Sequence, residues 1–246
     1  MALREEYEQT GSWLFRWRSY VPLIFIVLLV VSLLSYQHPQ SDAGDEAWEL
    51  LCLTISLTGL AIRAFTIGYT PRGTSGRNTK TQIADSLNTT GMYSLVRHPL
   101  YLGNFLMWLG VALFPMLWWM ALLCTLLFWV YYERIMFAEE AFLRKKYGKV
   151  YEEWAKGTPA FMPSLKCSYR KPEVPFSLRN VLKREYNGLL GAVLCLFMAE
   201  TVGDYFAGQP VHVDLMWKII LAVTITIWLV LRTLKRHTNV LNVDGR

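Results

Sequence analysis

The sequence predicts an all-α, polytopic membrane bundle of about six transmembrane helices, and three observations carry that prediction. Apolar side chains make up 53% of the 246 residues, with aromatics at 14%. Six sparsely charged stretches, at 21–36, 48–67, 100–114, 116–137, 187–206 and 215–234, approach or reach the roughly 20 residues that a helix needs to cross hydrocarbon. The alternating pattern of a β-barrel is absent, so internally paired helices are the expected form. Thirdly, six spans would put 24 of the 25 Lys and Arg on one side, leaving only Lys218 near the other. Under the positive-inside rule both termini are then cytoplasmic. The net charge of +6 follows from this orientation and from anionic headgroups, so nucleic acid is not needed to explain it.

Residues 1–67 form an N-terminal two-helix membrane region. It opens on an interfacial segment, Trp13-Leu14-Phe15-Arg16-Trp17, whose rings and cation suit the headgroup layer. The charged start is long and no small-residue cleavage pattern comes after Ser35, so the first span is expected to be retained. Residues 68–165 form the core. A polar loop, including the Gly- and Thr-rich stretch 70–80, leads to a helical hairpin that turns at Phe114-Pro115. The loop runs from Gly68 to Arg97, and a loop of about 30 residues inside a compact protein is usually functional or disordered. The fourth span is expected to run past the membrane surface as far as Gly148, and Pro159, Pro163, Pro172 and Pro175 interrupt the chain beyond it. Residues 166–246 supply a linker and a C-terminal two-helix hairpin. The first and third spans are short. No inverted repeat relates the halves, which weighs against a secondary transporter.

Cys52, Cys124, Cys167 and Cys195 lack metal-ligand spacing and read as small packing residues. Four scattered histidines give no metal site. Ionisable residues collect instead around the central hairpin. Arg97-His98-Pro99-Leu100-Tyr101-Leu102-Gly103 opens the third span. Pro99 fits a first helical turn, whose unpaired N–H groups suit an anion, while Gly103 permits close approach of a backbone or ligand. Read blandly, the same residues merely hold a helix start at the interface. Glu133-Arg134 and Glu139-Glu140 end the fourth span, and residues 133, 136, 137 and 140 share a helical face. Arg63 reads as a snorkelling cation within range of an anionic headgroup, and Glu200 and Asp204 as interfacial acids.

The run Asn88-Thr-Thr-Gly91-Met-Tyr93-Ser-Leu-Val-Arg97-His98-Pro99-Leu-Tyr101-Leu-Gly103 resembles the TSG-x-Y-x-x-x-RHP-x-Y-x-G signature of the isoprenylcysteine carboxyl methyltransferase family and its prokaryotic branch. Beyond the hairpin, Glu139-Glu140-x-x-Leu143, Gly148-x-x-Tyr151-x-x-Trp154 and Pro159 resemble that family's EE-x-x-L and G-x-x-Y-x-x-Y…P tail. The likeness covers residues 78–163. It implies an integral-membrane methyltransferase that uses S-adenosyl-L-methionine in a cytoplasmic pocket capping the hairpin. Leu87, Asn88, Tyr93, His98, Pro99, Leu100, Tyr101, Gly103 and Glu139 would bind the cofactor. Two positions depart from the eukaryotic pattern. Ile135 stands where an acceptor-facing arginine is expected, with Arg134 beside it, and Gly157 replaces an arginine before the tail proline.

Methyl transfer from a sulfonium needs alignment and exclusion of water. An ionised carboxylate or phosphate acceptor needs only a cation to place it, for which Arg97 and Arg134 are the candidates. An amine would first need a base, for which Glu133 and Glu140 are available. A lipid or lipidated acceptor is expected to enter from the bilayer, a lipid phosphate ranking before an isoprenoid carboxylate and phosphatidylethanolamine. No metal is expected. Two other readings share the motifs or the helices: an NADPH-dependent membrane enone or sterol-type reductase, which would generally need more spans, and a non-catalytic lipid-binding protein.

Overall fold

The computed structural model describes residues 3–35, 42–71, 73–74, 84–164, 168–208 and 213–245. Much of the loop stretch 70–80 and Cys167 therefore lie outside the described residues. Within them the chain forms α1 (Leu3–Trp17), α2 (Val21–Leu33), α3 (Asp42–Gly68), a short 3-10 turn (Gly91–Ser94), α4 (Pro99–Leu113), α5 (Trp118–Tyr147), α6 (Lys149–Gly157), α7 (Leu178–Phe206) and α8 (Leu215–His237), with no strand among them. By length and composition α3, α5, α7 and α8 can cross a membrane. The expected first and third spans correspond to the two shorter apolar helices, α2 and α4. The helical membrane bundle expected from hydropathy is therefore the fold observed.

α3 and α4 run antiparallel in close contact, and small residues at the crossing are the reason. A Cβ on Gly59 would overlap the Gly103 carbonyl, and one on Gly110 would overlap Ser56 and the Cys52 carbonyl. Such close approach replaces hydrophobic driving force where the surroundings are themselves apolar. Hydrogen bonds across the same seam run from Ser56 Oγ to the Met107 carbonyl (3.0 Å) and from Trp48 Nε1 to that of Leu113 (3.0 Å). Cys52 and Cys124 are buried packing residues.

α5 continues unbroken for 30 residues and stops at Gly148, whose φ of 54° suits glycine. At 1.5 Å per residue that is about 45 Å, longer than the about 30 Å of hydrocarbon that a helix must cross. α1 lies along α5, with Tyr131 Oη donating to the Leu14 carbonyl at 2.9 Å. α7 begins nine residues before the expected 187, capped by Ser177 Oγ on the Asn180 N–H at 3.3 Å. Its start also closes the end of α3, because Ser177 N and Asn180 Nδ2 donate to the Gly68 and Ile67 carbonyls.

At the opposite end of the bundle Glu200 and Asp204, near the end of α7, are buried, at 6% and 5% exposed. α3 and α8 pack on α7. Glu200 lies in hydrogen-bonding contact with Glu49, which also accepts from Trp217 Nε1 at 2.8 Å.

Candidate functional site

The residues before α4 are held by the segment that comes after α6. Arg97 N–H donates to the Pro159 carbonyl (2.9 Å), His98 N–H to that of Ala160 (3.0 Å), and Gly91 N–H to that of Arg170 (2.8 Å). Trp154 Nε1 donates to the Tyr93 carbonyl at 3.1 Å. The two sequence motifs thus form one body: the prolines that interrupt helix after Gly157 leave carbonyls free to pair with this irregular strip. On the far side, Lys146 Nζ and Tyr147 Oη both donate to the Ala84 carbonyl, at 2.5 and 2.6 Å, and anchor the wall that carries Leu87 and Asn88.

A cavity of about 710 Å³ lies between this assembly, α1, α3 and α7. Leu87, Asn88, Tyr93, Arg97, His98, Pro99, Leu100, Tyr101 and Glu139 all line it. Three of the expected site residues do not. Gly103 is pressed against Gly59 and Arg63 of α3, so it serves the helix crossing. Glu140 sits behind the wall, next to Arg97 and His98. Arg134 turns towards α1, its guanidinium 5.0 Å from the centre of the Tyr7 ring. Consecutive positions on α5 face different neighbours: Ile135 is fully buried, and Glu139 one turn on faces the cavity.

The polar centre is a chain of five side chains. Arg97 Nε lies 3.1 Å from Glu140 Oε1, which lies 3.1 Å from His98 Nε2. His98 Nδ1 lies 3.5 Å from Glu139 Oε2, and Glu139 Oε1 accepts from Tyr101 Oη at 2.7 Å. Both imidazole nitrogens therefore face carboxylates, an arrangement that the doubly protonated ring satisfies. Burial favours neutral His98, but bonding to Glu139 and Glu140 outweighs it and raises the pKa above its ordinary value. Burial and the Glu139 charge raise Tyr93 as well, keeping it a phenol. Beneath the chain, rings stack inwards from His98 to Tyr101 (5.6 Å), Tyr132 (4.8 Å) and Phe128 (4.1 Å between centroids), fixing the floor by packing.

Sequence reasoning missed Arg18, Asn104, Tyr132, Arg184 and Glu185 on the cavity wall, and it left Arg63 without a partner. Arg63 is held by Glu185 at 2.7 Å. The rule that an intramembrane charge seeks an opposite partner was the available signal, but it does not say which acid answers.

Residues 50–150 match the phospholipid methyltransferase family. The chain is 35% identical over 77 residues to the protein-S-isoprenylcysteine O-methyltransferase of Schizosaccharomyces pombe, covering 31% of this chain and 33% of that one. These two matches bear out the likeness carried by the motifs. The chain is also 28% identical over 150 residues to the nickel-cobalt-cadmium resistance protein NccN of Alcaligenes xylosoxydans xylosoxydans (61% of this chain, 63% of the relative). It is 30% identical over 141 residues to the cobalt-zinc-cadmium resistance protein CzcN of Cupriavidus metallidurans (57% and 61%). The chain thus spans less than two thirds of either relative's length. No solved structure matches it significantly.

Proposed function

We propose that this membrane protein transfers a methyl group from S-adenosyl-L-methionine to a lipid-like acceptor drawn from the bilayer, with O-methylation of a phosphate or carboxylate preferred. The single observation that carries the reading is the cavity in which both motifs converge, with Tyr93, His98, Tyr101 and Glu139 on one wall. Its volume falls within the range of about 300–1,000 Å³ typical of small-molecule sites.

The residues present fit the cofactor. Glu139 and the neighbouring rings suit a sulfonium cation and an amino group. Arg18 and Arg184 suit an α-carboxylate, while Leu87, Leu100, Phe142 and Leu143 offer apolar surface to a nucleobase. When bound, the cofactor supplies an electrophilic methyl carbon. The chain's own work is to orient and to exclude water. Tyr101 and His98 fix the rotamer of Glu139. Arg97 and Glu140 fix His98, so we assign both a positioning role. An anionic acceptor requires no general base at neutral pH, and the several arginines of the wall suit its placement.

The site is assigned to the cytoplasmic side and both termini with it, because the lysines and arginines gather at the cavity end while Glu49, Glu200 and Asp204 occupy the other. A water-soluble donor would then enter from the cytoplasm and a lipid acceptor sideways. Membranes containing the protein, supplied with methyl-labelled donor, should accumulate label in the lipid fraction. Label that is absent, or unaffected by Glu139→Ala, contradicts the assignment.

A further inference from the structure

One corner of the cavity is left unused by the contacts assigned to the cofactor. It is built from Arg63 of α3, Asn104 of α4 and Glu185 of α7. Arg63 Nε and Nη2 donate to the two oxygens of Glu185 at 2.7 and 2.8 Å, and Nη1 donates to Asn104 Oδ1 at 2.5 Å. Asn104 in turn donates to Tyr132 Oη at 3.3 Å. Glu185 is 5% exposed. A guanidinium has five N–H donors, and these bonds use three. Among the described residues, one N–H on each Nη nitrogen is left without a protein acceptor, on a side chain that lines the cavity. Two such donors match the paired oxygens of a carboxylate or phosphate.

Charge points the same way. Among the described residues four arginines line the wall, Arg18, Arg63, Arg97 and Arg184, against the carboxylates of Glu139 and Glu185. Glu140 answers Arg97 from behind, and the wall still keeps a positive excess. A sulfonium donor in the same cavity would add to it.

Depth and shape indicate where such an anion would come from. Arg63 lies five residues before the end of α3 and Glu185 seven after the start of α7. At 1.5 Å per residue both lie about 7–10 Å along their helices, near the layer where lipid headgroups meet their chains. Below them the cavity is bounded by Met107 and Gly188. A Cβ at Gly188 would meet only ordinary contacts, 3.4 Å from Glu185 Oε2 and Leu60 Cδ1 and 3.7 Å from Met107 Cε. The missing side chain therefore leaves a notch beside an apolar surface.

We infer that Arg63, Asn104 and Glu185 form the acceptor-headgroup subsite, which takes the phosphate monoester or carboxylate of a membrane amphiphile on the unspent edge of Arg63. The amphiphile's chain passes Met107 and Gly188. This rests on the methyltransferase reading above. The headgroup oxyanion forms the new O–C bond as the donor's S–C bond breaks. The electron pair stays on sulfur, no proton moves, and the product headgroup carries one negative charge fewer.

The test uses the full chain in nanodiscs, with and without saturating S-adenosylhomocysteine, titrated with dodecyl phosphate, dodecylamine and inorganic phosphate. Dodecyl phosphate should bind saturably and more tightly than the other two. Arg63→Gln should weaken it by about tenfold or more, the loss expected for a charge-assisted hydrogen-bonded contact, while S-adenosylhomocysteine binding persists. The double variant Arg63→Gln/Glu185→Gln, which leaves no buried carboxylate unpaired, should show the same loss. Gly188→Leu, which fills the notch and keeps both members of the ion pair, should also weaken dodecyl phosphate. Preference for dodecylamine, equal binding of inorganic phosphate, or unchanged dodecyl phosphate binding in these variants would each overturn the subsite. A wild type that ignores S-adenosylhomocysteine yet binds dodecyl phosphate through Arg63 would sink the methyltransferase reading and leave the subsite standing.

Discussion

Glu140→Gln separates a positioning role from direct contact with a ligand. Glu140 is not on the cavity wall, yet its Oε1 lies 3.1 Å from both His98 Nε2 and Arg97 Nε. The amide keeps the shape and one acceptor oxygen but loses the charge. A hydrogen bond to a charged partner contributes about 1.5–3 kcal/mol, and about 1.4 kcal/mol corresponds to tenfold in a protonation equilibrium. Protonation of His98 should therefore weaken about tenfold or more in the variant. The wild-type pKa of His98 lies above its ordinary value of 6.5. Its charged form thus supports the site fully below pH 6.5 and loses that support as pH rises through the higher folded-state value. Calorimetric titration with S-adenosylhomocysteine across a pH series should show affinity falling on the alkaline side. In Glu140→Gln that fall should move towards lower pH, while affinity at the acid end stays close to wild type. An unmoved alkaline limb, or equal weakening at every pH, would refute the coupling through His98.

Tyr101→Phe removes the 2.7 Å bond to Glu139 and should weaken S-adenosylhomocysteine by about fivefold, the equivalent of roughly 1 kcal/mol, as read by the same titration. Arg134→Ala should leave that affinity unchanged, since the side chain faces Tyr7; a large loss would put Arg134 back at the site. Gly110→Leu should drive α3 and α4 apart, because even a Cβ there overlaps Ser56 and the Cys52 carbonyl. Its cost should be at least the about 1–3 kcal/mol of ordinary overpacking, visible as a lower melting temperature in detergent.

How far the sequence foretold this arrangement depends on the range of the interactions. The helices were legible because a run of apolar side chains acts locally, and even the shortness of α2 and α4 was visible. The start of α7 was not: residues 178–186 carry charge, and they are helical because Ser177 caps them and Asn180 closes the end of α3. The wall made of Tyr93, His98, Tyr101 and Glu139 was legible because two short motifs contain it. Arg63 and Glu185 stand 122 positions apart, and only the packing of α3 on α7 brings them together. The position of Arg134 over Tyr7 was hidden for a different reason: adjacency to a motif position says nothing about which helical face a residue occupies. Nor does any linear pattern show that Glu200 meets Glu49 of α3.

The most direct test of the central claim is calorimetric titration of the purified chain with S-adenosylhomocysteine, run in parallel with NADPH. The account predicts saturable binding of S-adenosylhomocysteine, lost in Glu139→Ala and in His98→Ala, and no binding of NADPH. Binding of NADPH alone would contradict it in favour of a reductase, and binding of neither would leave the cavity without the methyl donor that the account requires.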